Sequence, residues 1–153
     1  FTVYGPWGRP DMAVYSFTDK IDSGQTIEVY GKGEVARDFT YVDDVVESII
    51  KIVEKPPHSQ INELRGMTSK TPSQIFNVGS GRPVSVNRLV SLLENTLDKK
   101  AVIRFVPRPA EDMQITHADL QGLEDVIGSV QTTQIEDGID QFIAWYRAYH
   151  LSG

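Results

Sequence analysis

The 153-residue sequence has no cysteine, which excludes disulfides, thiolate metal sites and cysteine nucleophiles. It has three histidines; His58 lies in a polar, proline-broken stretch with no second histidine at metal-binding spacing, so it reads as solvated. No apolar run approaches the roughly 18 residues of a membrane span, and the amino end lacks a basic, then apolar, then small-residue signal pattern. Cytoplasm is therefore the default compartment, with no membrane partner. Basic residues are outnumbered, 15 Lys and Arg against 21 Asp and Glu, and they are scattered. A net charge of −6 without a basic face argues against nucleic acid, while leaving room for one anionic ligand held by a few arginines. Internal repeats and low-complexity segments are also absent. What remains, 40% hydrophobic and 24% charged, suits one globular domain with a sizeable core.

The run Gly31 to Asp44, GKGEVARDFTYVDD, organises the rest. Gly31 and Gly33 bracket a lysine in a Gly-X-Gly turn, where a residue without Cβ can take positive φ and reverse the chain. Phe39, Tyr41 and Val42 form a β-prone run. Asp43 or Asp44 then offers an N-cap to a helix from Val45 to Val53. Arg37 sits where loop becomes strand, and its planar fork suits a phosphate or carboxylate. The plainer alternative is a surface pair with Asp38 or Glu34.

Phe1 to Tyr4 reads as the middle or end of a strand, so the chain reads as a fragment. YGPWGRPDM, residues 4 to 12, holds two glycines and two prolines and must be an irregular loop. Loops at the carboxyl ends of strands in open α/β sheets are where ligands bind. Arg9 in this loop is either a ligand-facing cation or the partner of Asp11, and Thr2 is either a site residue or an ordinary strand residue. Helices are predicted at Ala13 to Ile21, Val86 to Leu97 (capped by Ser85) and Leu120 to Val126 (capped by Asp119). A last helix, started by Thr132 or Thr133, carries an aromatic stripe that reads as core. Strands are predicted at Thr26 to Tyr30, Ile75 to Val78 and Val102 to Val106, and Glu54 to Ser73 reads as a long connection. Tyr30 is either a stacking platform or a core tyrosine. After the last strand, PRPAEDM places Arg108 and Asp112 in a second proline-held loop, where Arg108 can bind an anion or pair with Glu111 or Asp112. Gly79 and Gly81 fall short of a phosphate loop, lacking both the third glycine of a dinucleotide fingerprint and a Gly-Lys-Ser/Thr.

YGPWGRPDM together with ARDFTYVDDV resembles the extended short-chain dehydrogenase/reductase family of nucleotide-sugar epimerases and dehydratases, and within it the UDP-glucuronate 4-epimerases. The resemblance covers essentially the whole chain. It implies an α/β fold, with α+β character in this piece, forming the substrate-binding carboxyl-terminal portion of an extended Rossmann-type epimerase. Residues 1–12 would be the last strand and loop of the cofactor domain, and 13–153 the nucleotide-sugar-binding domain.

The same resemblance implies the ligands and roles. Thr2 and Arg9 would face the sugar, Arg9 near its carboxylate, and Tyr30 would hold the uracil. Arg37 and Arg108 would meet the diphosphate, and Asp112 the ribose hydroxyls. Glu111 departs from the family by standing where a glycine is common. NAD would take hydride from C4 of a UDP-sugar and return it to the opposite face of a 4-keto intermediate. No Gly-X-X-Gly-X-X-Gly turn and no Tyr-X-X-X-Lys pair occurs in the sequence. In the family both lie upstream, as do the helices of its usual homodimer. The alternatives are a UDP-glucose 4-epimerase, a UDP-glucuronate decarboxylase, or a binding module without catalysis.

Overall fold

The computed structural model describes residues 1–57 and 73–151, and His58 and most of the predicted 54–73 connection lie outside the described residues. Among the described residues, six strands and five helices follow in the order β1 (Thr2–Tyr4), α1 (Ala13–Asp22), β2 (Thr26–Tyr30), β3 (Ala36–Arg37), β4 (Phe39–Tyr41), α2 (Val42–Val53), β5 (Val84–Ser85), α3 (Val86–Leu97), β6 (Val102–Val106), α4 (Gln121–Ile127) and α5 (Ile135–Leu151). The strands pair as β1 with β4 and β2 with β6, both parallel, and β3 with β5, antiparallel. This is the mixed α/β architecture that the family resemblance implies.

Periodicity explains the core. Val14, Thr18 and Ile21 recur on one side of α1, and Ile139, Phe142, Ile143 and Tyr146 on one side of α5. These meet Leu89, Leu93 and Leu97 of α3 and the alternating Ile27 and Val29 of β2. The aromatic stripe of α5 is core, as its spacing predicts. Ser85 caps α3 as predicted, its Oγ accepting from the Arg88 amide at 3.2 Å.

Other boundaries differ from the sequence reading. Ile75 to Val78 is not a strand, and Ile75 is 83% exposed. Neither Asp43 nor Asp44 caps α2, which begins at Val42 with no side-chain cap. Asp44 instead accepts from the Thr133 amide and hydroxyl, both at 2.8 Å, fastening the segment before α5 to α2. The last helix accordingly starts at Ile135, beyond both Thr132 and Thr133, the two residues offered as its start. Helix α4 is capped by position from Leu120, with Asp119 contributing a bond to the Gln121 amide at 3.1 Å.

The second helix is inverted. Its buried residues are Asp44 and Ser48, whereas Val46, Ile49, Ile50 and Val53 stand exposed.

Candidate functional site

The Gly-X-Gly turn is built as the sequence requires. Gly31 and Gly33 have φ of 59° and 73°, and Gly33 N donates to Tyr30 O at 3.1 Å. Asn87 of α3 closes the turn, its amide donating to Gly33 O and its side chain to Lys32 O. A Cβ on Gly33 would fall 1.9 Å from Asn87 Oδ1, so the positive φ favours glycine here and any side chain would also have to displace that of Asn87.

This turn brings four of the six predicted residues to one end of the β2–β6 pair. Tyr30 stands opposite Val106 in the register, and Arg108 follows two residues later. Tyr30 is 49% exposed, which removes the core-tyrosine alternative. Arg37 forms an ion pair with Asp112, and its Nη1 donates to the carbonyls of Ala36 and Met113, each at 2.8 Å. Its partner is thus Asp112 and neither Asp38 nor Glu34. Of five guanidinium N–H groups, these contacts engage three, leaving Nε–H and one Nη2 hydrogen for a ligand among the described residues. Arg108 Nη1 donates to the backbone carbonyl of Asp112, so both arginines converge on one loop residue.

Thr2 and Arg9 lie at the adjoining end. Thr2 N donates to Asp38 O at 3.1 Å in the β1–β4 ladder, one residue from Arg37. Thr2 and Arg9 line the same small cavity with Tyr4, Gly5, Gly8 and Met12. Arg9 pairs with Asp11, as its plainer reading proposed, and both side chains are exposed. That pair holds the Asp11 carboxyl below its usual range.

The residue that holds the two ends together was not singled out from sequence. Asp38 is fully buried and accepts from Ser80 N and Oγ (both 2.7 Å), Gly81 N (3.0 Å) and Ala118 N (2.9 Å). Burial pushes its carboxyl up. The bonds from the Ser80 hydroxyl and the Ala118, Ser80 and Gly81 amides outweigh burial and hold it below the ordinary aspartate range. Thr116 Oγ1 accepts from Asp38 N, and the Ala36 amide donates to Gln114 O, so the 112–118 loop runs fixed beside Arg37. The only sequence signal was an acid next to an arginine, which reads first as a salt bridge.

This hub also decides what the Gly79–Gly81 turn does. Its Ser80 and Gly81 amides are committed to Asp38, and a Cβ on Gly79 would lie 2.3 Å from Ala118 Cβ. The turn therefore offers no cradle for a dinucleotide phosphate.

The NAD dependent epimerase/dehydratase family matches residues 1–79. The chain belongs to that family. This family member is 42% identical over 156 residues to UDP-glucuronate 4-epimerase 1 of Arabidopsis thaliana, covering 98% of this chain and 36% of that protein. Among solved structures it resembles MoeE5 in complex with UDP-glucuronic acid and NAD, with a TM-score of 0.81, 30% identity, and coverage of 97% of this chain and 46% of MoeE5. It is also similar to the UDP-glucose 4-epimerase of Thermotoga maritima with UDP-glucose, with a TM-score of 0.80, 26% identity, and coverage of 97% and 44%. The epimerase/dehydratase chain thus spans less than half the length of these relatives, and its fold is a portion of an extended Rossmann-type epimerase. Among the described residues no helix is long and apolar enough to cross a membrane.

Proposed function

We propose that the chain is the UDP-sugar-binding part of an NAD-dependent UDP-glucuronate 4-epimerase, which interconverts UDP-glucuronate and UDP-galacturonate through a 4-keto intermediate. The observation that carries this reading is the convergence of Arg37 and Arg108 on Asp112 in the loop after β6, the strand whose Val106 is registered with exposed Tyr30. Two arginines at one loop form a site for a diphosphate, because planar forks grip phosphate oxygens bidentately. Asp112 faces the ribose hydroxyls in this reading, and Tyr30 stacks on the base. Thr2 and Arg9 hold the sugar, with Arg9 taking the C6 carboxylate.

Residues 1–12 serve as the last strand and loop of a cofactor domain, and 13–153 as the nucleotide-sugar domain. NAD, which supplies hydride exchange at the sugar, belongs to the other half of the intact cytoplasmic enzyme. The exposed Val46, Ile49, Ile50 and Val53 of α2 suit coverage by that half, and the parent is a homodimer through it. The chain alone, without a Tyr-X-X-X-Lys pair, neither holds NAD nor epimerises a sugar.

The second reading, a UDP-glucose 4-epimerase, is favoured by the likeness to the Thermotoga enzyme. Product analysis separates them. The chain is joined to a dinucleotide-binding half and given UDP-glucuronate or UDP-glucose, with Arg9→Leu alongside. UDP-galacturonate formed in preference to UDP-galactose, and lost in the variant, is the expected result. Preference for UDP-glucose, or a pentose product, discards the uronate assignment. Turnover by the isolated chain discards the division of labour.

A further inference from the structure

The loop 5–12 is two successive tight turns, closed by Gly8 N to Gly5 O and by Met12 N to Arg9 O, each 3.1 Å. Gly5-Pro6-Trp7-Gly8 places proline second and a left-handed residue third, since Trp7 has φ of 61°. That pattern belongs to a type II turn, whose third position takes glycine or asparagine because a bulky side chain is strained there. Trp7 is 76% exposed, so its own burial does little to offset the strain.

What Trp7 does make is a set of ring contacts with α5. Its ring centroid lies 5.4 Å from that of Trp145 and 5.4 Å from that of Tyr149, and those two rings stack at 5.3 Å with 21° between planes. Trp145 is itself packed on the core, 5.7 Å from Phe142. The apex of the first turn is thereby fastened to the last helix. Arg9, two residues on, has its side-chain bonds only to Asp11 of its own turn among the described residues.

We propose that Trp7 is a positioning residue for Arg9. By gripping Trp145 and Tyr149, it holds the loop in place before ligand arrives, so that Arg9 distinguishes a sugar bearing a C6 carboxylate from one bearing a hydroxymethyl. The inference rests on the uronate reading of Arg9 given above. A pre-placed cation loses less conformational freedom on binding, and the difference appears as selectivity.

The chain has two tryptophans, and both are in this contact. The far-ultraviolet exciton couplet of a tryptophan pair therefore reports it directly, present in wild type and lost in both Trp7→Phe and Trp145→Phe. Calorimetric titration of wild type, Trp7→Ala and Trp7→Phe with UDP, UDP-glucose and UDP-glucuronate then tests the role. Wild type should prefer UDP-glucuronate over UDP-glucose by roughly 10- to 100-fold, the range of charge-assisted hydrogen bonds. Trp7→Ala should lower that preference by about tenfold while leaving affinity for UDP unchanged, and Trp7→Phe should restore most of it by rebuilding the ring contacts.

A wild-type chain without the couplet, a Trp7→Ala chain with undiminished preference, or an equal loss of affinity for UDP itself overturns the role of Trp7 and leaves the uronate reading standing. A wild-type chain that takes UDP-glucuronate no better than UDP-glucose removes both. Thermal melts identify unfolding in Trp7→Ala, and the exposure of the ring predicts a midpoint close to wild type.

Discussion

Removing the Asp38 carboxylate should be among the most damaging single changes in this chain. Asp38→Ala leaves three backbone amides without their acceptor, those of Ser80 and Ala118 buried and that of Gly81 part-buried. Each buried unsatisfied group costs about 1–3 kcal/mol, so with partial relaxation the loss is about 3–6 kcal/mol. That is a large share of the roughly 5–15 kcal/mol that holds a domain together. Asp38→Asn keeps one oxygen but turns an NH2 group toward donors, so it should cost about 2–3 kcal/mol. The pH dependence supplies a second test. The folded carboxyl titrates below its ordinary value, so its contribution is complete above about pH 4, where the unfolded group ionises, and is lost as pH falls through the folded value. Urea unfolding of wild type and Asp38→Asn between neutral and acid pH measures this. The gap between the two should stay constant at neutral pH and narrow below about pH 4. A loss under about 1 kcal/mol for Asp38→Ala, or a gap that does not narrow, would refute the hub.

Two further substitutions probe single positions. Gly33→Ala combines a positive φ with a Cβ placed against the Asn87 side chain, and should lower stability by about 1–2 kcal/mol in urea titration; no loss would mean that the turn relaxes freely. Tyr4→Phe should run the other way. Among the described residues the Tyr4 hydroxyl is buried without a hydrogen-bond partner, and burial pushes its pKa up, so deleting it should leave the midpoint unchanged or raise stability by up to about 1 kcal/mol, whereas a clear loss would reveal a polar partner for the hydroxyl.

The legible parts of this chain were those in which a local rule and the tertiary fold agree. The alternation in Thr26–Tyr30, the heptad-like spacing of α5 and the Ser85 cap each follow from backbone period or cap chemistry, and the fold only adds a neighbour. The arginines were legible as candidates because a guanidinium in a loop after a strand has few structural duties. Their partners were not, because Arg37 meets Asp112 across 75 positions of chain and Asp38 gathers donors from 42 to 80 positions away. Local reading offered Asp43 or Asp44 as the N-cap of α2, yet neither caps it and Asp44 serves the approach to α5. The failure has one physical origin. A buried carboxylate is recognised by the backbone amides that converge on it, and amides leave no residue-specific trace in the sequence. The glycines give the complementary signal: at Gly79 and Gly138 a Cβ would lie 2.3 Å from Ala118 and 2.0 Å from the Tyr4 hydroxyl, so each glycine marks where another segment presses in. Gly79 sits beside Asp38, where a Cβ would lie 3.1 Å from Asp38 Oδ2, so the close approach of the hub and of Ala118 is what keeps this position a glycine.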